Sequence, residues 1–323
     1  MKMFCFRRKM KFKLISLTTI VLLVTVFSGL ALGETLKVGV AWAGKSGMAK
    51  RVTKGLEKGL KELAPQIKLE FHKELADITA LGKVIDKYQK SKTGMVILRS
   101  NGAKYLGKNP PGIPTFIGGC NHPGQLGAIK NLDAPEDNVT GVTYFLPAET
   151  QFEVFQAILP NMQSIVLLTE KGHPGSAIDE AGTRQVCRKM GLKCTFTSVA
   201  NKGQVKKVVK QNQGQVSAIV IGNQALLLDM TTEIVGMAGK TPILSYSAKP
   251  VKDGALGGFA ADDEKLGTML AESIVSVLVN GQSIKSTPVK MDANPKFFLN
   301  VTTAQKLGLE VPFDILELAT VVE

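Results

Sequence analysis

LKVGVAWAGKSGMAKRVTKGLEKGLKEL, residues 36–63, decides the fold. An apolar run from Leu36 to Ala41 passes through Trp42 to Gly47 into a helical pattern from Met48 to Leu63. Residues 164–190, SIVLLTEKGHPGSAIDEAGTRQVCRKM, follow the same plan, with a strand over Ser164 to Thr169 and a helix over Ser176 to Met190. Around these units the pattern predicts strands at 68–73, 95–98, 115–117, 193–198, 218–221 and 243–245. Helices are predicted at 80–91, 203–212 and 226–238. Short apolar runs alternating with helical stretches are the signature of parallel α/β units. Equivalent points recur at a nearly constant offset, 127 residues from Val38 to Ile165 and 128 from Pro114 to Pro242. Two similar lobes are therefore expected, each a Rossmann-like parallel sheet. A strand at 254–259, a long apolar helix at 266–279 and a final strand and helix through Val289 to Leu309 are too few for a third domain. They are expected to return and complete the two sheets.

The chain begins with six cations among its first 13 residues, then an uncharged run from Leu14 to Leu32 and a small-residue site at Ala31-Leu32-Gly33. That grammar predicts a secretory signal over residues 1–33, cleaved after Gly33. The run is also long enough to span a bilayer, so an uncleaved anchor is the competing reading. The full chain has 323 residues and a formal charge of +13; six of those charges belong to the leader. The remaining basic excess is scattered over helix faces without interleaved aromatics, which argues against a nucleic-acid partner. The domains expected are residues 34–143 plus 251–287 for lobe 1 and 144–250 plus 288–323 for lobe 2. Of the cysteines beyond the leader, Cys187 and Cys194 flank a helix-to-strand reversal at Gly191. A disulfide and two separately packed thiols both fit.

Open α/β sheets bind ligands outside the carboxyl ends of their strands, so two facing lobes place the site in the cleft between them. The loops there are 42–47, 99–103, 118–124, 170–176, 222–225 and 246–249. They supply the candidate ligand-binding residues Trp42, Ser46, Gly47, Ser100, Asn101, Asn121, His122, His173, Ser176, Asn223, Gln224 and Tyr246. Trp42, the single tryptophan, is either a stacking platform for a flat ligand or an anchor packed into its lobe. Gly39 to Ser46 matches the phosphate-loop pattern GxxxxGK[ST]. Gly39 lies inside the apolar strand, however, and no later strand ends in a magnesium-holding aspartate. What remains of the motif is a helix N-terminus able to hold an anionic group. His122 and His173 could meet across the cleft, but no third ligand or carboxylate is spaced to join them, and neither a metal site nor catalysis is expected. No cofactor is expected.

Four ordered segments resemble a known family: Asn138-Val-Thr-Gly141, Leu146-Pro147-Ala-Glu149 leading to Leu159-Pro160, Val251-Lys-Asp-Gly-Ala-Leu256 with Leu266-Gly267, and Asn300 to Gly308. The chain is similar to the substrate-binding proteins of ABC importers with the type 1 periplasmic binding fold, in their tryptophan/tyrosine-binding-like branch. The resemblance implies an exported, periplasmic or extracellular monomer that takes a small-molecule solute between its lobes. It further implies hinge motion about crossovers near Tyr144, Pro250 and Val289, and delivery to a membrane permease. A ligand-sensing module held by the N-terminal segment is the alternative. Asp262 is retained as a further candidate ligand residue. An Asp-Pro pair of the family is replaced by His122-Pro123, and an acidic position by Asn223. Losing two partners for an ammonium leads to the expectation of a neutral or anionic ligand with a planar part.

Overall fold

The computed structural model describes residues 35–323; the leader expected at 1–33 lies outside the described residues. Lobe 1 opens with β1 (Lys37–Ala43), α1 (Gly47–Leu63), β2 (Lys68–Leu75), α2 (Ile78–Ser91), β3 (Gly94–Leu98), α3 (Ser100–Lys108), β4 (Thr115–Gly118) and β5 (Val139–Thr143). Lobe 2 follows with α4 (Ala148–Ile158), β6 (Ser164–Glu170), α5 (Ser176–Met190), β7 (Lys193–Val199), α6 (Lys202–Asn212), β8 (Ala218–Ile221), α7 (Ala225–Leu228), α8 (Thr231–Ala238), β9 (Ile243–Ser245), α9 (Ala248–Lys252) and β10 (Gly257–Ala260). The chain then returns to lobe 1 with α10 (Asp263–Leu278) and β11 (Lys290–Met291). It ends in lobe 2 with β12 (Lys296–Asn300), α11 (Val301–Leu307), α12 (Phe313–Leu318) and β13 (Ala319–Val322).

The sheets run β11-β5-β4-β3-β1-β2 and β13-β12-β10-β9-β8-β6-β7. Pairing is parallel except between β10 and β12. In both lobes the second strand lies outside the first, and the third lies on the first strand's other flank. Each sheet therefore has its topological switch point beside its first strand, β1 against β3 and β6 against β8.

Period-two alternation builds each core. Val38, Val40 and Trp42 of β1 face α1 and α10, while Ala41 and Ala43 face α2 and α3. Lobe 2 likewise divides its apolar residues between a cluster containing Phe152, Ile165 and Leu167 and one containing Val166, Leu168 and Ile219. The return of α10 depends on two glycines. A Cβ on Gly55 would lie 1.9 Å from the Glu264 carbonyl oxygen, and one on Gly267 would lie 2.1 Å from that of Val52. Larger residues would separate α1 from α10 and weaken the attachment of the returning segment to lobe 1.

Strand β10 departs from the expected division of the chain. Residues 251–287 do not return to lobe 1 as a block, because β10 pairs with β9 and β12 in the second sheet. The cause is local: β9, α9 and β10 form a short βαβ unit whose connection reaches only the neighbouring strand. The crossovers thus fall at residues 144–147, 261–262 and 292–295. The middle one lies about ten residues beyond Pro250, whereas those near Tyr144 and Val289 are close to their expected places.

Other differences are smaller. The single helix expected at 226–238 is interrupted at Asp229 and Met230, and residues 99–103, taken as loop, enter α3. Cys187 and Cys194 form a disulfide across the Gly191 reversal, with Cα atoms 6.3 Å apart. Gly191 adopts the left-handed conformation that ends α5, φ 68°. Cys120 is a buried free thiol. Among the described residues no helix is long and apolar enough to cross a membrane.

Candidate functional site

A cavity of about 990 Å³ lies between the lobes, where the two switch points face each other. Ser46, Gly47, Ser100 and Asn121 line it from lobe 1, and His173, Asn223 and Tyr246 from lobe 2; Asp262 lines it from a crossover. Asn101 lines only an adjoining recess of about 290 Å³, which it shares with Arg99, Glu170 and His173. Trp42, His122, Ser176 and Gln224 do not line the main cavity.

Each of these four has a local reason. β1 continues through Ala43, so Trp42 belongs to the strand and is fully buried in the lobe 1 core. Packing, not ligand stacking, is its observed role, and its indole N–H has no hydrogen-bond partner among the described residues. His122 folds back on its own turn: Nδ1 accepts from Gly124 N–H at 3.1 Å, and the ring meets Phe145 edge-on. Ser176 donates to the Glu170 carbonyl at 2.7 Å. Gln224 is 1% exposed and is spent on two neighbours described below.

His173 lines the cavity but repeats the His122 arrangement, with Nδ1 accepting from Gly175 N–H at 3.1 Å. Both histidines head a His-Pro-Gly turn, and burial lowers both pKa values, so both rings are neutral at physiological pH. Neither turn leaves Nδ1 available to a metal or a proton.

On the lobe 1 side the start of α1 supplies donors, and the start of α10 supplies acids paired with cations. Ser46 caps α1, its hydroxyl accepting from Ala49 N–H at 3.1 Å. The amides of Gly47 and Met48 belong to the helix's first turn, where no intrahelical acceptor is available, and both residues line the cavity. Gly39, by contrast, serves the strand interior, since a Cβ there would lie 2.4 Å from the Tyr88 ring. The first glycine of the phosphate-loop pattern is thus a packing glycine. Arg99 closes β3 with φ 77°, a conformation seldom adopted by residues with a side chain. Its guanidinium donates to the Ala43 carbonyl and lies in the field of Glu170. Asp262 caps α10, accepting from Glu264 and Lys265 N–H at 3.1 Å each, and pairs with Lys296 of lobe 2 at 3.3 Å.

On the lobe 2 side the decisive group is Asp179, which the sequence reading missed. It sits in the first turn of α5 and lines the cavity. Asn121 Nδ2 donates to Oδ1 at 3.0 Å and Gln224 Nε2 donates to Oδ2 at 2.6 Å. Both donors are neutral. No lysine or arginine among the described residues forms an ion pair with it, and burial pushes the carboxyl up to about 6. Tyr144 and Tyr246 line the same cavity, their hydroxyls raised by burial; Tyr246 hydrogen-bonds to Thr183 one turn beyond Asp179. The site pairs a helix N-terminus with an uncompensated carboxylate, separated by aromatic and apolar walls that include Phe145, Ile178 and Phe259.

Several known proteins share this architecture. A tyrosine-binding protein of Clostridioides difficile (strain R20291) is 22% identical over 257 residues, covering 79% of this chain and 74% of its own. Among solved structures, an ABC domain from Streptococcus pneumonia in complex with L-Trp superposes with a TM-score of 0.79 at 24% identity, covering 90% of this chain and 100% of that one. The ligand-free, open form of a Clostridium difficile substrate-binding protein with adhesive properties has a TM-score of 0.75 at 20% identity, covering 89% and 99%. These likenesses give the two-lobed type 1 periplasmic binding fold. Residues 37–323, the described lobes almost entire, match the family of ABC transporter substrate binding proteins, and the chain belongs to that family.

Proposed function

We propose that the chain captures an amino acid with an aromatic or other large apolar side chain, and presents it to a membrane permease of an ABC importer. As a member of its family the chain is a solute-binding protein and not an enzyme. Asp179 carries the choice of ligand. A half-buried carboxylate held by two neutral donors lacks a cation, and a ligand ammonium in the cavity supplies one. The ligand carboxylate then meets the first-turn amides of α1, where the helix dipole favours negative charge. The side chain is left to the walls formed by Tyr144, Phe145 and Phe259. The names of the tyrosine-binding and L-Trp-bound relatives support this reading. The expectation of a neutral or anionic ligand rested on His122 and Asn223 at the loop tips, and Asp179 provides the charge those positions lack.

Closure about the three crossovers brings the two half-sites together, and the closed form is what a permease distinguishes. Family membership supports an exported location. Isothermal titration of tyrosine and tryptophan against their N-acetyl derivatives tests the reading. The free amino acids are expected to bind and the acetylated ones, which lack the ammonium, to lose binding. Equal affinity for both would remove Asp179 from the recognition of ligand.

A further inference from the structure

Asn121 and Asp179 belong to different lobes and share a hydrogen bond. Asn121 follows β4 of lobe 1 and is 2% exposed. Its backbone N–H donates to Ser100 Oγ at 3.0 Å, its Oδ1 accepts from His122 N–H at 2.8 Å, and its Nδ2 donates to Asp179 Oδ1 at 3.0 Å. A donor on one side and a carboxylate on the other fix which end of the amide is which. Beside Asp179, Ile178 is 4% exposed and packs into the lobe 1 cluster that contains Ala41, Ile97 and Ile117. Helix α5 of lobe 2 therefore presents one apolar and one charged contact to lobe 1 from adjacent positions.

The other side of the carboxylate is held within lobe 2. Gln224 Oε1 accepts from Glu170 N–H at 3.3 Å while Nε2 donates to Asp179 Oδ2 at 2.6 Å. That fold-back needs Gly222, since a Cβ there would lie 2.4 Å from Gln224 Oε1. Gln224 stays with Asp179 whenever lobe 2 is intact, but Asn121 reaches it only when lobe 1 is docked.

We propose that Asn121 is a positioning residue that latches lobe 1 onto Asp179, so that cleft closure and the final orientation of the carboxylate are one event. A hydrogen bond to an ionised acceptor is among the stronger ones available, and opening returns both groups and Ile178 to water. The latch populates the closed form before ligand arrives and lowers the conformational cost that binding must meet. It rests on the proposed capture by closure but is independent of the ligand's identity.

Small-angle scattering of the ligand-free, disulfide-intact protein tests it. Wild type is expected to be compact. Asn121→Ala removes the donor and Asn121→Asp sets a second carboxylate against Asp179, so both are expected to expand, with the closed fraction about tenfold lower. Combining Asn121→Asp with Asp179→Asn exchanges amide and carboxylate across the interface and is expected to restore the compact form. A contact with a merely structural role would show no such reciprocal rescue. The double variant still lacks Asp179 and stays unable to bind the free amino acid, which separates closure from ligand recognition. Circular dichroism melting confirms folding, with Asn121→Ala carrying the test if Asn121→Asp does not fold. Scattering of the folded single variants superimposable on wild type, or a double variant that stays expanded, would overturn the latch.

Discussion

At the switch point of lobe 1 the cavity is lined by the first-turn amides of α1, the Ser100 hydroxyl and the guanidinium of Arg99. At the corresponding point of lobe 2 the same winding presents Asp179, with Glu170 close behind in the adjoining recess. One switch point offers donors and the other an acceptor, although the first five strands of both sheets follow the same order. The difference lies in where each helix begins relative to its strand. In lobe 1 Ser46 caps α1 and turns the bare helix end toward the cavity. In lobe 2 α5 starts at Ser176 without a side-chain cap, and its first turn carries Asp179 inward. A helical side chain leans back toward its N-terminus, so an acid in the first turn reaches the space in front of the helix.

Removing the acceptor of lobe 2 should break this asymmetry most severely. Asp179→Asn is expected to weaken binding of the proposed amino acid ligand about a hundredfold or more by titration calorimetry, since it deletes one partner of the charge pair formed with the ligand ammonium. The same substitution should stabilise the ligand-free protein. Asp179 titrates near 6 in the fold against an ordinary 3.8, so its contribution to stability is full below about pH 4 and is lost as the pH rises through about 6. The loss is roughly 3 kcal/mol at neutral pH. Urea unfolding should therefore find Asp179→Asn more stable than wild type at pH 7 and about equal at pH 4.

Severing the staple of lobe 2 comes next. Replacing both Cys187 and Cys194 with serine should lower stability by roughly 2.5 kcal/mol, the chain-entropy value for a loop closed over seven positions, measured by thermal unfolding. On the lobe 1 side Ser46→Ala should cost about 1 kcal/mol through the lost cap, read from the same melts. Trp42→Phe sharpens the contrast between core and cavity. It is expected to lower the melting temperature while leaving the Kd for the proposed amino acid ligand unchanged, because Trp42 is fully buried in the lobe 1 core.

The alternation of apolar runs with helical stretches located most strands to within a residue or two, and the loops at their carboxyl ends led to Ser46, Ser100, Asn121, His173 and Asn223. Several features escaped that reading, β5 and α4 among them. β13 pairs at the sheet edge with its middle residues exposed, so it lacks the buried apolar run that marks the equally short β4 and β8. β10 overlaps the strand expected at 254–259 but starts three residues later, and its lobe depended on which neighbour α9 could reach. Arg99 directly follows β3 and Asp179 lies inside α5, beyond the loop 170–176, and both are charged residues of a kind that solvated surfaces also carry. An acidic residue within the first turn after a cleft loop was the signal that could have identified Asp179.

The two His-Pro-Gly turns mark the boundary between what each level decides. Residue type alone made His122 and His173 eligible for a ligand, a metal or a proton. Only the folded turns show each Nδ1 accepting from the glycine two residues on. The sequence by itself determined two α/β lobes with a cleft between them, because strand and helix periods are local properties of side-chain spacing. The tertiary structure alone decided the cleft's charge. That charge depends on Asp179 meeting Asn121 and Gln224, residues 58 and 45 positions away, and on the burial that leaves the three of them without a cation.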